Sequence, residues 1–124
     1  MKEFAIKENH LFVKAYSKGK RYVTDSVAVY ILKDLKAGKL RRENPEKQTL
    51  NRIGFSASTK LGGAVVRNRC KRIMREAYRA LVKDRPIKKG NLVVIVARGG
   101  AVGSTSDKLR RDLNRAFSKL ELYM

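Results

Sequence analysis

At 124 residues with 43% hydrophobic side chains, the chain is sized for a single domain over residues 1–124 and too apolar for disorder. Its 30 Lys and Arg stand against 11 Asp and Glu, a formal net charge of +19, which points to a polyanionic partner, nucleic acid first. A cationic membrane binder competes, but no apolar run approaches the roughly 18 residues needed to span and MKEFAIKENH lacks a signal peptide's apolar core, so a cytoplasmic protein with no membrane partner is expected.

The spacing of apolar residues predicts a first helix from Asn9, a plausible N-cap, to Ser17, with Gly19 placed to end it. Leu11, Phe12, Ala15 and Tyr16 form its apolar or aromatic side. Ser26 to Leu32 alternates as a strand, with Val27, Val29 and Ile31 on one face and Ala28, Tyr30 and Leu32 on the other. Lys33 to Gln48 is polar, holds Gly38 and Pro45 and has no period, so it reads as a long connection or hairpin tip without chemistry. A second strand, Leu50 to Ser58, turns Ile53, Phe55 and Ala57 inward. Gly54, Ser56 and Ser58 leave its other face almost free of bulk, with room for a ligand.

Thr59 to Gly63 turns the chain into a helix from Ala64 to Val82, ahead of Pro86. At about 100° per residue, Arg67, Asn68, Lys71, Arg72, Arg75 and Arg79 fall within roughly 140° of arc. Val66, Cys70, Ile73, Met74, Ala77 and Leu81 crowd into about 100° on the other side. One face packs and the other meets a polyanion. Like charges four residues apart repel by a few tenths of a kcal/mol per pair, a cost that phosphates would offset. Leu92 to Ala97 is apolar throughout, as in a strand buried on both sides. Gly99, Gly100 and Gly103 form a flexible loop without dinucleotide-fingerprint spacing. Ser106 then caps a final helix lined by Leu109, Leu113, Phe117 and Leu120. The order is α-β-β-α-β-α, an α/β (α+β) sandwich with helices packed on one small mixed sheet.

Chemistry is scarce where charge is dense. A protein nuclease needs clustered acids or histidines, yet Leu50 to Lys83 holds nine cations and one acid, Glu76. Glu76 reads as an ion-pair partner of Arg72 and Arg75. His10, the only histidine, reads as a surface residue beside Asn9. Cys70, the only cysteine, excludes an intrachain disulfide and a cysteine metal cluster and lies on the packing face as inert filling. Composition therefore reaches a nucleic-acid-binding module with no evident catalysis or metal site of its own.

The stretch GFSASTKLGGAVVRNRCKRIMREAYR, from Gly54 to Arg79, resembles the signature of the bacterial ribonuclease P protein subunit, Lys-x-Gly-x-Ala-Val-x-Arg-Asn-x-x-Lys-Arg-x-x-Arg-Glu. Lys60, Gly62, Ala64, Val65, Arg67, Asn68, Lys71, Arg72, Arg75 and Glu76 carry it. Phe12, Tyr16 and Gly19 keep the family's N-terminal spacing, and the likeness covers most of the chain. Thr59 stands where many members have a second lysine, and the Lys33–Gln48 connection is longer than typical.

That resemblance implies one ribosomal-protein-like domain with a left-handed strand–helix–strand crossover, against the general rule. It implies a protein that assists a catalytic RNA in cutting the 5′ leader from precursor tRNA, with Mg2+ held mainly by the RNA. No cofactor bound tightly by the protein, no catalytic side chain and no obligatory protein partner are expected. Residue by residue, Lys60, Arg67, Asn68, Lys71, Arg72 and Arg75 would face the catalytic RNA, and Arg69, about 60° beyond the main arc, would reach phosphate at the flank. Phe12, Tyr16 and Tyr30 would line the cleft for the single-stranded leader, where the open face of Ser56 and Ser58 lets bases approach and stack. Plain packing of a short helix accounts for Phe12 and Tyr16 as well. A ribosomal or other structural RNA-binding protein and a protein-only endonuclease are the alternatives.

Overall fold

The computed structural model describes residues 4–5, 9–33 and 52–124. Its strands are β1 (Phe4–Ala5), β2 (Lys20–Val23), β3 (Val27–Lys33), β4 (Arg52–Ser56) and β5 (Asn91–Ala97), and its helices are α1 (Asn9–Lys18), α2 (Ala64–Asp84) and α3 (Ser106–Lys119). The strands form one mixed sheet in the order β1-β4-β5-β3-β2. β4 lies parallel to β1 and β5, while β3 is antiparallel to β5 and β2. The expected α+β architecture on one mixed sheet is present.

β5 is central because every residue from Leu92 to Ile95 is apolar and buried, which only a strand covered on both faces permits. Val93 and Ile95 join Val27, Val29 and Ile53 beneath α2 and α3, in the main core. Leu92 and Val94 point the other way, to Ala15 of α1, with Phe12, Tyr30 and Leu32 packed around them. The alternation expected for β3 is therefore kept. α2 lies over β4 and β5, α3 over β3 and β2, and α1 over β3 and β5 on the opposite face.

Two glycines set the approach of helices to sheet. Gly19 follows α1, and a Cβ there would stand 2.6 Å from the carbonyl oxygens of both Ala15 and Ile31, so only glycine lets the end of α1 meet β3. Gly62 closes the 3-10 turn Thr59–Leu61 at φ 142, in a backbone region open chiefly to glycine, and aims the chain into α2.

Several details depart from the sequence pattern. β1 and β2 were not expected, being two and four residues long with too little alternation to register. The Gly99–Gly103 loop contains a 3-10 turn, Gly99–Ala101. The cap of α3 is Thr105, not Ser106: Thr105 has extended backbone and its side chain accepts from the Lys108 N–H, whereas Ser106 is already helical. α2 runs two residues past Val82. Tyr78, assigned to neither face of α2, is buried between Phe55 and Phe117, with ring centroids 5.9 and 6.2 Å away in edge-on geometry. Residues 34–51, including most of the Lys33–Gln48 connection and the start of the Leu50–Ser58 strand, lie outside the described residues. So do the side chains of Asn9, His10 and Leu11.

Candidate nucleic-acid interface

α2 divides as its periodicity requires. Cys70, Ile73, Met74, Ala77 and Leu81 are buried in the main core, and Cys70 is a free, buried thiol. Asn68, Arg72, Arg75 and Arg79 are exposed on the other side, with Lys60 exposed just before the helix. Arg67 and Lys71 are half-buried at the border. Glu76 makes the expected pair with Arg72, at 3.9 Å, on an exposed surface where such pairs contribute little. Arg75 lies over the Phe55 ring, 5.9 Å from its centroid, and so is anchored without losing its charge.

Arg69 behaves differently from its neighbours. Its Nη2 donates to the Ser104 carbonyl oxygen at 2.7 Å, which turns the side chain toward the segment before α3 rather than outward from the cationic arc. Two guanidinium nitrogens, Arg67 Nε and Arg69 Nη1, are buried and have no hydrogen-bond partner among the described residues. A buried donor left unpaired costs about 1–3 kcal/mol.

On the other side of the sheet, α1 stops short of the outer part of β4 and leaves a cleft of about 350 Å³. Phe12, Val13 and Tyr16 line it from α1, and Phe55, Ser56 and Ala57 from the β4 end. Tyr16 is 39% exposed and meets Tyr30 edge-on at 5.0 Å, while Phe12 lies 6.5 Å from Tyr16. Of the cleft residues expected from sequence, Phe12, Tyr16 and Ser56 therefore line the opening and Tyr30 backs Tyr16. Ser58 does not line it, because β4 ends at Ser56 and Ser58 is exposed at the start of the 3-10 turn. Val13 and Phe55 were missed: Val13 sits off the apolar stripe of α1, and Phe55 also belongs to the core face of β4.

Lys71 joins the two regions. It belongs to the cationic side of α2, yet it also lines the cleft. Cations and aromatic rings so form one continuous surface, the combination that holds a phosphate backbone while bases stack. Among the described residues, no three or more His, Cys, Asp or Glu side chains gather to hold a metal ion. No helix among them is long and apolar enough to cross a membrane.

Comparison with known proteins gives the family and the fold. A family model described as Ribonuclease P matches residues 1–121. The ribonuclease P protein component of a Clostridium botulinum strain is 34% identical over 120 residues, covering 97% of this chain and 93% of that protein. That of a Thermoanaerobacter species is 33% identical over 118 residues, covering 95% and 90%. The solved RNase P protein of Staphylococcus aureus superposes with a TM-score of 0.73 at 25% identity, over 99% of this chain and all of that one.

Proposed function

The chain belongs to the family of ribonuclease P protein subunits, and from that premise we propose that it binds the catalytic RNA through α2 and the 5′ leader of precursor tRNA through the aromatic cleft. Lys60, Arg67, Asn68, Lys71, Arg72 and Arg75 hold the RNA backbone. Phe12 and Tyr16, with Tyr30 behind, stack leader bases, and the short side chain of Ser56 leaves the strand open to them.

The observation that carries this reading is the double membership of Lys71, in the cationic side of α2 and in the cleft. A single strand leaving the catalytic RNA at α2 would enter the cleft without crossing an uncharged gap. The protein side chains bind and orient RNA. Mg2+ held mainly by the catalytic RNA would supply Lewis-acid and water-activating chemistry when present, and no protein side chain takes a proton in the cut. Such a ribonucleoprotein works in the cytoplasm, with precursor tRNA as substrate and no membrane or obligatory protein partner.

Reconstitution tests the reading. The purified chain is added to precursor tRNA at low magnesium, with and without a bacterial catalytic RNA, and the expected result is a single 5′ cut that requires the RNA and is accelerated by the protein. Cleavage by the protein alone would indicate a protein-only endonuclease. Tight binding to ribosomal RNA with no effect on leader removal would indicate a structural RNA-binding protein.

A further inference from the structure

α3 carries a second ridge of positive charge that the surface described above does not use. Its buried arc, Leu109, Leu113, Ala116 and Phe117, closes the main core. On the other side Arg111, Arg115 and Lys119 recur every fourth residue, within roughly 80° of arc at about 100° per residue, and all three are exposed. Among the described residues none of the three has an ion-pair or hydrogen-bond partner. Of the acids nearby, Asp112 accepts from the Ser26 hydroxyl and Asp25 from Lys108 Nζ, while Asp107 and Glu121, at the two ends of the ridge, form no ion pair with any of the three. Repulsion between like charges four apart opposes this arrangement, and the helix dipole favours only Lys119, in the last turn. Fold stability does not account for the ridge.

Its position separates it from α2. The cations of α2 lie toward β4, as the Arg75–Phe55 contact and the place of Lys71 in the cleft record. The flank of α3 beside the ridge is tied through Lys108 and Asp112 to Asp25 and Ser26, in the turn between β2 and β3. β4 and β2 stand on opposite sides of the central β5–β3 pair. Lys20 adds a cation at the β2 edge on the α3 side, since it shares a strand face with Tyr22, which packs against the main core.

We propose that Arg111, Arg115 and Lys119, with Lys20 at the same sheet edge, form a second RNA-backbone-binding face, so that the protein clamps two separate segments of a folded RNA from opposite edges of its sheet. The proposal rests on the reading of α2 as the face for the catalytic RNA. A structured RNA fits better than a lipid surface, because an interfacial helix needs an apolar face free to enter the bilayer and that of α3 is buried in the core.

Two measurements on the full chain with a bacterial catalytic RNA test it. The triple variant Arg111→Gln, Arg115→Gln, Lys119→Gln should flatten the log–log salt slope of binding by about two to three and weaken binding about tenfold or more near physiological salt. A charge-matched control, Lys18→Gln, Arg21→Gln, Lys33→Gln, should change the slope by less than half as much. In addition, an iron chelate tethered at Ser118→Cys should cut the RNA at a segment distinct from that cut by a tether at Glu76→Cys, while buried Cys70 stays unlabelled. Unchanged affinity and slope, equal losses in the two triple variants, or no separate cut from the Ser118 tether would each overturn the second face. A failure of the α2 reading appears independently, as full binding by an Arg67→Ala, Arg72→Ala protein.

Discussion

Arg69 Nη2 donates to the carbonyl oxygen of Ser104 at 2.7 Å, tying α2 to the segment that leads into α3. A hydrogen bond from a charged group contributes about 1.5–3 kcal/mol, and the half-buried position favours the low end. Arg69→Ala should therefore lower the free energy of unfolding in urea by at most about 1.5 kcal/mol, because removing the unpaired Nη1 returns part of the loss. Its RNA-binding salt slope should barely move, whereas Arg72→Ala should lose roughly 0.7–0.9 of slope per phosphate contact. A fully stable Arg69→Ala protein with a slope flattened as far as that of Arg72→Ala would place Arg69 on the RNA instead.

The close approach at Gly19 leads to a second expectation. A methyl group there would stand 2.6 Å from two carbonyl oxygens, so Gly19→Ala must push α1 away from β3. Overpacking of this kind costs about 1–3 kcal/mol, and the displaced helix would carry Tyr16 off the edge of Tyr30. Thermal unfolding should show the loss, and proton NMR should show weaker ring-to-ring contacts. An unaltered melting temperature with unaltered contacts would mean that the backbone accommodates the methyl freely.

Periodic segments were legible and isolated contacts were not. The arcs of α2, the apolar run of β5 and the stripe of Leu109, Leu113 and Phe117 each repeat a period long enough to read, and they stand where the pattern put them. β2 offered no such signal, because an edge strand with only Tyr22 packed on the core shows almost no alternation. Tyr78 lies roughly 40° beyond Met74 on the helical wheel, and its burial depends on Phe55 and Phe117, residues distant in sequence. Arg69 was legible as a flank residue but not as a clamp, since Ser104, 35 residues on, sits in a segment with no pattern. The cleft was partly legible: the small side chain of Ser56 marked an open strand face, but the place where α1 stops short of β4 is a property of packing.

Asp25 accepts from Lys108 Nζ at 2.9 Å, and that hydrogen bond is the main reason its carboxyl titrates below the usual 3.8. A carboxylate with a lowered folded value stabilises the fold fully above its unfolded value, and the contribution disappears as pH falls through the folded one. The stability difference between the native chain and Asp25→Asn should thus be flat at neutral pH and shrink once the pH drops below about 3.8. Lys108→Ala should return the Asp25 carboxyl carbon to an ordinary titration in carbon-13 NMR, and added salt should reduce the native shift because the pair is exposed. An Asp25 that titrates at the ordinary value in the native chain would remove the pair from the fold's stabilising contacts.

The α2 surface makes a quantitative expectation of its own. If about five or six of its cations engage phosphates, the log–log salt slope for catalytic-RNA binding should be roughly −4 to −5. Changing Arg67 and Arg72 together to alanine should weaken binding and flatten the slope by about one to two. Equal slopes and affinities in the double variant and the native chain would put the RNA on another face.

Tyr16 separates leader binding from packing. It is 39% exposed, so truncation should leave melting close to native, unlike loss of a buried aromatic, which costs about 3–5 kcal/mol. In the reconstituted ribonucleoprotein, Tyr16→Ala should weaken binding of precursor tRNA with a leader of several nucleotides by about 1–3 kcal/mol for a lost stack. Assembly with the catalytic RNA should change little, because the phosphate contacts proposed for that RNA come from the cations of α2 and Lys60 and none from the Tyr16 ring. Mature tRNA, which has no leader, should bind the native and variant complexes alike. If instead Tyr16→Ala unfolds the chain, or weakens both tRNA forms equally, the ring is a packing element and the leader runs elsewhere.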